Sequence, residues 1–306
     1  MKHTNIRAQE DFRKARSREI LLRVLSLLRR QRQELLSFQE VRALIRPDGE
    51  AYAGMKVVPI SLIVGSEGRY QDFNRVFLPR REHLKKRWVR VDMAHHGMIN
   101  LPPVKLYEIG GVYFVRDGNH RVSVARMQGV EFIDAEIISL RSRLSLSPEM
   151  SGEEMKHRVI DLEKEEFFRS TNLRSLRPGV RIDFSATGRY DELNRHILGH
   201  KYYLNQVCEK ELSFEEGMLS WYDNVFAPIV AIIRSSGLLA RFPGRTAADL
   251  YVWIVRHWDG LKRRIHADFS MEEAARDFGR RYGLSTGRVL RRLWRAVKSR
   301  LWRPDV

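Results

Sequence analysis

The chain has 306 residues, of which 43% are hydrophobic and 30% are charged. This apolar content is enough for a folded core and excludes a chain that is disordered throughout. The 55 basic and 38 acidic side chains give a net charge of +17, which favours polyanionic partners such as nucleic acids, nucleotides or acidic membranes. A single cysteine, Cys208, excludes a disulfide framework and fits a reducing cytoplasm.

The positive charge is concentrated at the two ends of the sequence. Residues 1–49 carry a net charge of +6 and residues 281–306 carry +7, whereas the residues between them carry only +4. Basic ends are typical either of solvated helix faces or of surfaces that bind a polyanion. No stretch approaches the ~18 consecutive apolar residues of a membrane span, so we expect no transmembrane segment.

Residues 1–49 predict a basic helical segment, with a long helix over about 8–36. Its apolar residues recur at helical spacing: Ile20, Leu21, Val24, Leu25 and Leu28. We interpret this face as packed on the core, with binding to a membrane surface as the alternative. The capping-box pattern of Ser37 and Glu40 then predicts a short second helix.

Residues 50–147 predict a small α+β domain. In chain order, its expected elements are a β-rich run at 56–64, a long connection, a hairpin of strands at 104–109 and 112–116, a helix at 119–128 and a strand at 132–138. The dipeptide Gly110-Gly111 is typical of a hairpin turn.

Residues 148–306 predict a large helical domain. Capping patterns precede four amphipathic runs, at Ser151, Ser213, Thr246 and Ser270. Aromatic residues recur in these runs, and we interpret them as the core of a helix bundle.

No metal site is predicted. His196 and His200 have zinc-compatible spacing but lack the adjacent glutamate of a His-Glu-x-x-His motif. The pair His95-His96 is interpreted as part of a loop.

The segment 115–121 combines several features that suit a phosphate group. A strand ends, Asp117-Gly118 makes a tight turn, and a helix begins at Asn119, where free backbone N–H groups carry a partial positive charge. His120 and Arg121 add side-chain donors, and Gly118 leaves room for a ligand to approach the backbone. The same residues are equally compatible with a plain turn.

Residues 113–129, with the sequence YFVRDGNHRVSVARMQG, resemble the signature of the ParB/sulfiredoxin superfamily. The resemblance extends over 56–140 and implies a mixed α/β nucleotide-binding domain, here flanked by an N-terminal helical segment and a large C-terminal helical domain. It implies a nucleoside triphosphate, CTP or ATP with Mg²⁺, as ligand, and a homodimer is a candidate assembly. The implied nucleotide contacts are Ser66, Arg69, Gly118, Asn119, His120 and Arg121. Residues 165–260 are also similar to an uncharacterised helical bacterial family.

Two comparisons within this superfamily bear on catalysis. Sulfiredoxins carry their catalytic cysteine where this chain has Asn119, so we expect no sulfinic-acid reductase activity. The serine kinases of the superfamily keep a similar Asp-Gly turn, which implies Asp117 as a catalytic carboxylate. Glu67, in the loop after the first strand, is then a candidate general base.

The C-terminal residues 270–301 have the length of a helix-turn-helix, with Gly283 in the turn. The candidate DNA contacts on its second helix are Arg288, Arg291, Arg292, Arg295 and Lys298. A basic helix that packs on its own bundle is an equally good interpretation.

A short internal echo relates residues 68–75 to residues 188–195, since both read Gly-Arg-Tyr and end in Asn-Arg. Three interpretations are open: coincidence, a shared loop-to-helix turn, or two loops that contact one anionic ligand.

Three functions remain open from the sequence. The first is a ParB-like nucleotide-binding regulatory protein that associates with DNA. The second is a phosphotransferase that uses Asp117 and Glu67. The third is an assembly protein in which the ParB-like domain is a passive scaffold.

Overall fold

The computed structural model describes residues 2–29, 34–97, 99–206, 210–265 and 271–282. The chain divides into two compact units, Met1–Val159 and Ile160–Val306. Among the described helices, none combines the length and apolar character that a bilayer-spanning segment needs. Several residues singled out by the sequence lie outside the described ranges: Cys208, Arg288, Arg291, Arg292, Arg295 and Lys298.

The first unit is built on a six-stranded mixed sheet in the order β1-β3-β5-β4-β6-β2. Its strands are β1 (Leu36–Ser37), β2 (Glu50–Pro59), β3 (Ile63–Ser66), β4 (Val104–Ile109), β5 (Val112–Asp117) and β6 (Phe132–Leu140). Its helices are α1 (Lys2–Arg29), α2 (Phe38–Ile45), α3 (Lys85–His96) and α4 (Asn119–Met127). The pairs β1–β3, β3–β5 and β4–β6 are parallel, and β4–β5 and β2–β6 are antiparallel. The expected mixed α/β unit with helical flanks is confirmed.

The connection between β2 and β3 shapes the whole sheet. Only the 3₁₀ turn Ile60–Leu62 joins these two strands, although they lie four positions apart in the strand order. Four inter-strand steps of about 4.8 Å span ~19 Å, whereas the chain from Pro59 to Ile63 reaches at most ~14 Å. The sheet therefore curls until β2 approaches β3 at this connector.

One strand prediction is wrong for the same reason. The run 56–64 contains the end of β2 and the start of β3, which belong to different parts of the sheet. Pro59 is the last residue of β2, a position at the end of an edge strand where its missing N–H costs no ladder hydrogen bond. Apolar composition alone does not reveal such a break.

The curled face of the sheet holds one of the cores of the unit. Its fully buried side chains come from five strands and from α4, including Val58, Ile63, Leu106, Val115, Val122 and Ile137. Arg126 of α4 hydrogen-bonds to both ends of the connector between β2 and β3. Its Nη2 donates to the carbonyl oxygens of Ile60, at 2.6 Å, and Ile63, at 2.8 Å. Burial lowers the pKa of Arg126 to about 10, so the guanidinium remains charged at neutral pH.

The opposite face of the sheet packs against α2. Phe38 of α2 stacks on Tyr107 with ring centroids 4.2 Å apart and lies at a tilt against Phe114. Ser37 is the N-cap of α2, and its side chain accepts a hydrogen bond from the backbone N–H of Glu40. The predicted start of this helix is therefore correct.

Helix α1 buries a different face from the one predicted. Ile20, Leu21, Val24 and Leu25 are 38–60% exposed, whereas Ala8, Phe12, Ala15 and Glu19 are buried. The ring of Phe12 packs edge-on against Trp88 of α3, with centroids 5.6 Å apart. The interpretation of the leucine-rich face as core-packed is wrong, because the contact with α3 uses small residues and one aromatic ring.

The second unit is helical in its described part. Its elements are α5 (Gly152–Thr171), which begins in the first unit, α6 (Leu173–Leu176), α7 (Arg189–Asn205), α8 (Phe214–Trp221), α9 (Ala227–Ser235), α10 (Ala247–Ile265) and α11 (Met271–Tyr282), with a π-helical turn at Tyr222–Phe226. The capping pairs at Ser151, Ser213 and Thr246 all form. The predicted aromatic core is confirmed, since Trp221 and Tyr251 are both 1% exposed.

The two similar segments, residues 68–75 and 188–195, do not share a common structure. Gly188 adopts a left-handed conformation and caps α7, which begins at Arg189. Residues 68–75 instead form turns with isolated bridges and no helix. The interpretation as a shared loop-to-helix turn is therefore wrong.

Candidate functional site

The residues predicted to bind a nucleotide gather where two parallel strands end. Strands β3 and β5 are neighbours, with Ser66 opposite Val115, and α4 starts directly after β5. Ser66 is fully buried; its Oγ donates to the carbonyl of Val115 and accepts from the backbone N–H of Arg69, both at 3.3 Å. Ser66 thus fixes the loop that carries Arg69.

Gly118 makes the turn from β5 into α4. Its φ of +107° lies in the region that favours glycine, and it is the N-cap of the helix. A Cβ at this position would lie 2.7 Å from Val104 Cγ1 and 3.1 Å from Arg121 Nε. The expectation that Gly118 leaves room for a ligand needs correction, because the chain's own side chains fill that space.

Arg121 braces this turn from within the protein. Its Nη2 lies 2.6 Å from Asp117 Oδ2, and its Nη1 donates to the carbonyls of Pro102 and, at 2.9 Å, Pro103. The Arg121 side chain is only 14% exposed, whereas that of Asp117 is 57% exposed. These contacts hold the end of β5, the first turn of α4 and the segment before β4 together.

Asn119 and His120 occupy the first two positions of α4 and are buried, and each has polar side-chain atoms without a hydrogen-bond partner in the described part of the chain. Asn119 is 7% exposed and His120 is 4% exposed. Among the described residues, nothing pairs with Asn119 Oδ1 or with either ring nitrogen of His120. An unpaired buried polar group costs about 1–3 kcal/mol, so these atoms mark a place where a bound group would add hydrogen bonds.

The electrostatic environment of His120 is positive. Burial, together with the charges of Arg87, Arg69 and His83, lowers its pKa to about 4. His120 is therefore neutral at pH 7 and able to donate one N–H. The free N–H groups and partial charge of the helix N-terminus add to a positive potential at the same place.

Two arginines place positive charge near His120. Arg69 is half-buried and contacts Asp72 with Nη1 to Oδ2 of 3.2 Å. Arg87 is exposed on α3, and within the described ranges no hydrogen bond or ion pair engages it. Sequence analysis missed Arg87, because nothing in the chain signalled that the connection after β3 contains a helix that returns to His120.

Glu67 points away from α4. Its Oε1 accepts a hydrogen bond of 3.3 Å from Gln39 Nε2, and Gln39 belongs to the helix on the opposite face of the sheet. Burial raises the pKa of Tyr107 on that face, and the charge of Glu67 raises it further. The two predicted catalytic carboxylates, Glu67 and Asp117, therefore engage different partners on different sides of β5.

A second polar cluster lies between α1, α3 and the end of α4. It consists of Asp11, Asp92, His96 and Gln128. The interpretation of His95-His96 as loop residues is wrong, since both belong to α3. His196 and His200 of the second unit contact hydroxyl groups instead, those of Tyr251 and Ser220 at 3.2 and 3.0 Å.

Comparisons with known proteins give little further information. No protein-family model and no curated protein matches the chain. The solved structure of a Pnob8-like ParB-N domain, in a C222₁ form, is 13% identical to it, with coverage of 81% of this chain and 98% of that chain. The TM-score of 0.20 carries no functional weight, so the proposals below depend on the residues of this chain.

Proposed function

We propose that the chain is a ParB-like nucleotide-binding regulatory protein that associates with DNA through its basic ends. The phosphates of a nucleoside triphosphate, CTP or ATP with Mg²⁺, bind at the N-terminus of α4. The proposed contacts are Arg69, Asn119 and His120, with Arg87 added, while Ser66, Gly118 and Arg121 shape the loop and the turn that present them.

One observation carries this proposal. His120 is more than nine-tenths buried, and both of its ring nitrogens are unpartnered among the described residues, at a helix N-terminus where the charges of Arg69 and Arg87 act on it. The adjacent Asn119 would donate to a phosphate through its Nδ2, because its unpartnered Oδ1 can only accept. A phosphate oxygen accepts from backbone N–H groups, from a neutral imidazole and from guanidinium groups alike. A neutral or cationic ligand would leave the charge of Arg87, which has no ion-pair partner among the described residues, unmatched.

The phosphotransferase function has less support. A general base needs a free carboxylate within reach of the nucleophile. Asp117 is ion-paired with Arg121, and Glu67 accepts a hydrogen bond from Gln39 on the α2 side. Binding that regulates another event therefore fits the site better than catalysis of phosphoryl transfer.

Isothermal titration of the full chain with CTP and ATP, each with Mg²⁺, tests the proposal. We expect one nucleotide per chain and at least a tenfold weaker affinity in Arg87→Ala, because a charge-assisted contact to phosphate contributes about 1.5–3 kcal/mol. Arg90→Ala is the matched control, since Arg90 is exposed on the same helix and is expected to leave the affinity unchanged.

Inorganic tripolyphosphate separates recognition of the phosphates from recognition of the base. Competition by tripolyphosphate is expected if the helix N-terminus holds the phosphates. The proposal fails if the wild-type chain binds neither nucleotide, or if Arg87→Ala and Asn119→Ala both bind as tightly as the wild type.

A further inference from the structure

We propose that Asp11, Asp92 and His96 form a binding site for a divalent transition-metal ion, with Zn²⁺ as the reference ion. The site lies where α1, α3 and the end of α4 meet. Asp11 lies on α1, and Asp92 and His96 lie one turn apart on the same face of α3. The fourth group, Gln128, caps the C-terminal end of α4. It lies at the opposite end of α4 from the proposed nucleotide site and does not depend on that proposal.

The distances within the cluster suit a metal ion. His96 Nε2 lies 3.2 Å from Asp11 Oδ2 and 3.4 Å from Asp92 Oδ2. The three ligand atoms all lie within 4.8 Å of one another. Ligands of a tetrahedral zinc ion at 2.0–2.1 Å are separated by about 3.3–3.5 Å, so small side-chain movements would complete the geometry.

A buried carboxylate oxygen without a hydrogen bond is directed into this cluster. Asp92 is 0% exposed, and its Oδ2 accepts no hydrogen bond among the described residues, although His96 Nε2 lies 3.4 Å away. Its other oxygen, Oδ1, accepts from Gln128 Nε2 at 2.8 Å. A buried carboxylate oxygen without a donor is costly unless a cation or a proton occupies the place beside it.

The charges of the cluster favour a cation. Burial raises the pKa of Asp92, and the hydrogen bond from Gln128 and the charge of His96 offset part of this effect, while the neighbouring Asp11 carboxylate adds to it. Burial would also raise the pKa of Asp11, but hydrogen bonds from His96, Gln128 and Lys14 outweigh this effect and lower it. The one lysine in contact, Lys14, is 66% exposed and lies 3.3 Å from Asp11 Oδ1, on the oxygen that does not face His96.

The donor types indicate the class of metal. Two carboxylate oxygens and one imidazole nitrogen suit Zn²⁺ or Mn²⁺ better than Ca²⁺ or Mg²⁺, which prefer all-oxygen sites. A half-turn of the Gln128 amide would replace its NH₂ by Oε1 as a further oxygen donor. A bound ion would cross-link α1, α3 and α4 and thereby stabilise the folded chain.

The test uses the full-length, tag-free chain after treatment with EDTA, without nucleotide. ZnCl₂, MnCl₂, MgCl₂ and CaCl₂ are added separately, and both the bound metal per chain and the melting temperature are measured. We expect one Zn²⁺ per chain and a rise of several degrees in the melting temperature, with no comparable shift from Mg²⁺ or Ca²⁺.

Matched variants locate the site. His96→Gln and Asp11→Asn are each expected to weaken Zn²⁺ binding at least tenfold, whereas His95→Gln, an exposed neighbour on the same helix, leaves it unchanged. If His96→Gln does not fold, Asp11→Asn alone tests whether the cluster binds Zn²⁺. The inference is overturned if the wild-type chain retains no Zn²⁺ and is not stabilised by it, or if His96→Gln and Asp11→Asn both bind Zn²⁺ as the wild type does.

Discussion

A buried histidine without hydrogen-bond partners makes the stability of this protein sensitive to acid. His120 has a pKa of about 4 in the folded chain, against 6.5 for a free side chain. Between pH 6.5 and pH 4 this histidine therefore binds a proton in the unfolded chain but remains neutral in the folded chain. The stability that neutral His120 provides is complete above pH 6.5 and is lost as the pH falls toward 4.

Replacement of His120 is expected to flatten this acid dependence. In ligand-free protein, the free energy of unfolding should fall between pH 6.5 and 4 by up to about 3 kcal/mol more in the wild type than in His120→Gln. Urea unfolding at a series of pH values measures the difference. The groups that face His120, namely Arg87, Arg69 and His83, are present in both proteins.

The exposed His157 of α5 provides a control for this measurement. His157 is not among the groups whose charges act on His120, so His157→Gln is expected to leave the acid dependence at its wild-type value. Parallel pH profiles for the wild type and His120→Gln would show that His120 titrates like a free histidine, contrary to its burial.

Sequence reasoning at this scale identified the turn but not its surroundings. Residues 117–121 were visible as a phosphate-binding pattern because strand, turn and helix are contiguous. Arg87 was not, because α3 brings it to His120 from 33 residues away along the chain, and neither was Asp11, which lies 117 residues before its partner Gln128 at the other end of α4. The contacts of Arg121 within the chain were not predictable either, since carbonyl acceptors at Pro102 and Pro103 leave no signature in a sequence.

Among the elements, α1 shows how a hydrophobic pattern can mislead. Its buried stripe of Ala8, Phe12, Ala15 and Glu19 has helical spacing but little hydrophobicity. Glu19 is 1% exposed and pairs with Arg16 at 3.0 Å. The leucine-rich stripe, in contrast, remains at the surface of the chain. Local cues such as the Gly110-Gly111 hairpin and the capping pairs were predicted correctly because their partners lie within a few residues.

Two substitutions on α1 distinguish these faces. Phe12→Ala is expected to lower the free energy of unfolding by about 3–5 kcal/mol, because it leaves a cavity beside Trp88. Leu21→Ala is expected to change it by less than about 0.5 kcal/mol, because Leu21 is 60% exposed. Denaturant unfolding of both variants gives the comparison, and a larger loss for Leu21→Ala would mean that the predicted face is the buried one after all.

For the whole molecule, the net charge of +17 is the feature with the widest consequence. Association with duplex DNA through 6–10 phosphate contacts would weaken by about 10³–10⁵ between 50 and 200 mM salt. Deletion of residues 284–306 removes Arg288, Arg291, Arg292 and Arg295 together, and it is expected to lower both the affinity and the slope of its salt dependence. Fluorescence anisotropy with a labelled duplex measures both quantities.

Neutralisation of the same four arginines to glutamine keeps the chain length and serves as the matched variant. Its affinity should fall in parallel with that of the truncated chain. Unchanged affinity and salt slope in both proteins would assign the C-terminal residues to packing within the chain rather than to DNA.

The pairing of β2 with β6 constrains the order in which this unit can fold. The edge strand β2 pairs with β6 from Pro59 with Phe132 to Glu50 with Leu140. Contacts between residues that are ~70–90 positions apart form late, because the intervening loop must close first.

At about 5–20 residues per second on the ribosome, β2 would emerge several seconds before its partner strand β6. During that interval a ten-residue strand lacks its neighbour, and the bulge between Tyr52 and Gly54 interrupts its straight edge. Such a bulge discourages pairing with another nascent chain, so we regard it as protection during synthesis as much as a feature of the finished sheet.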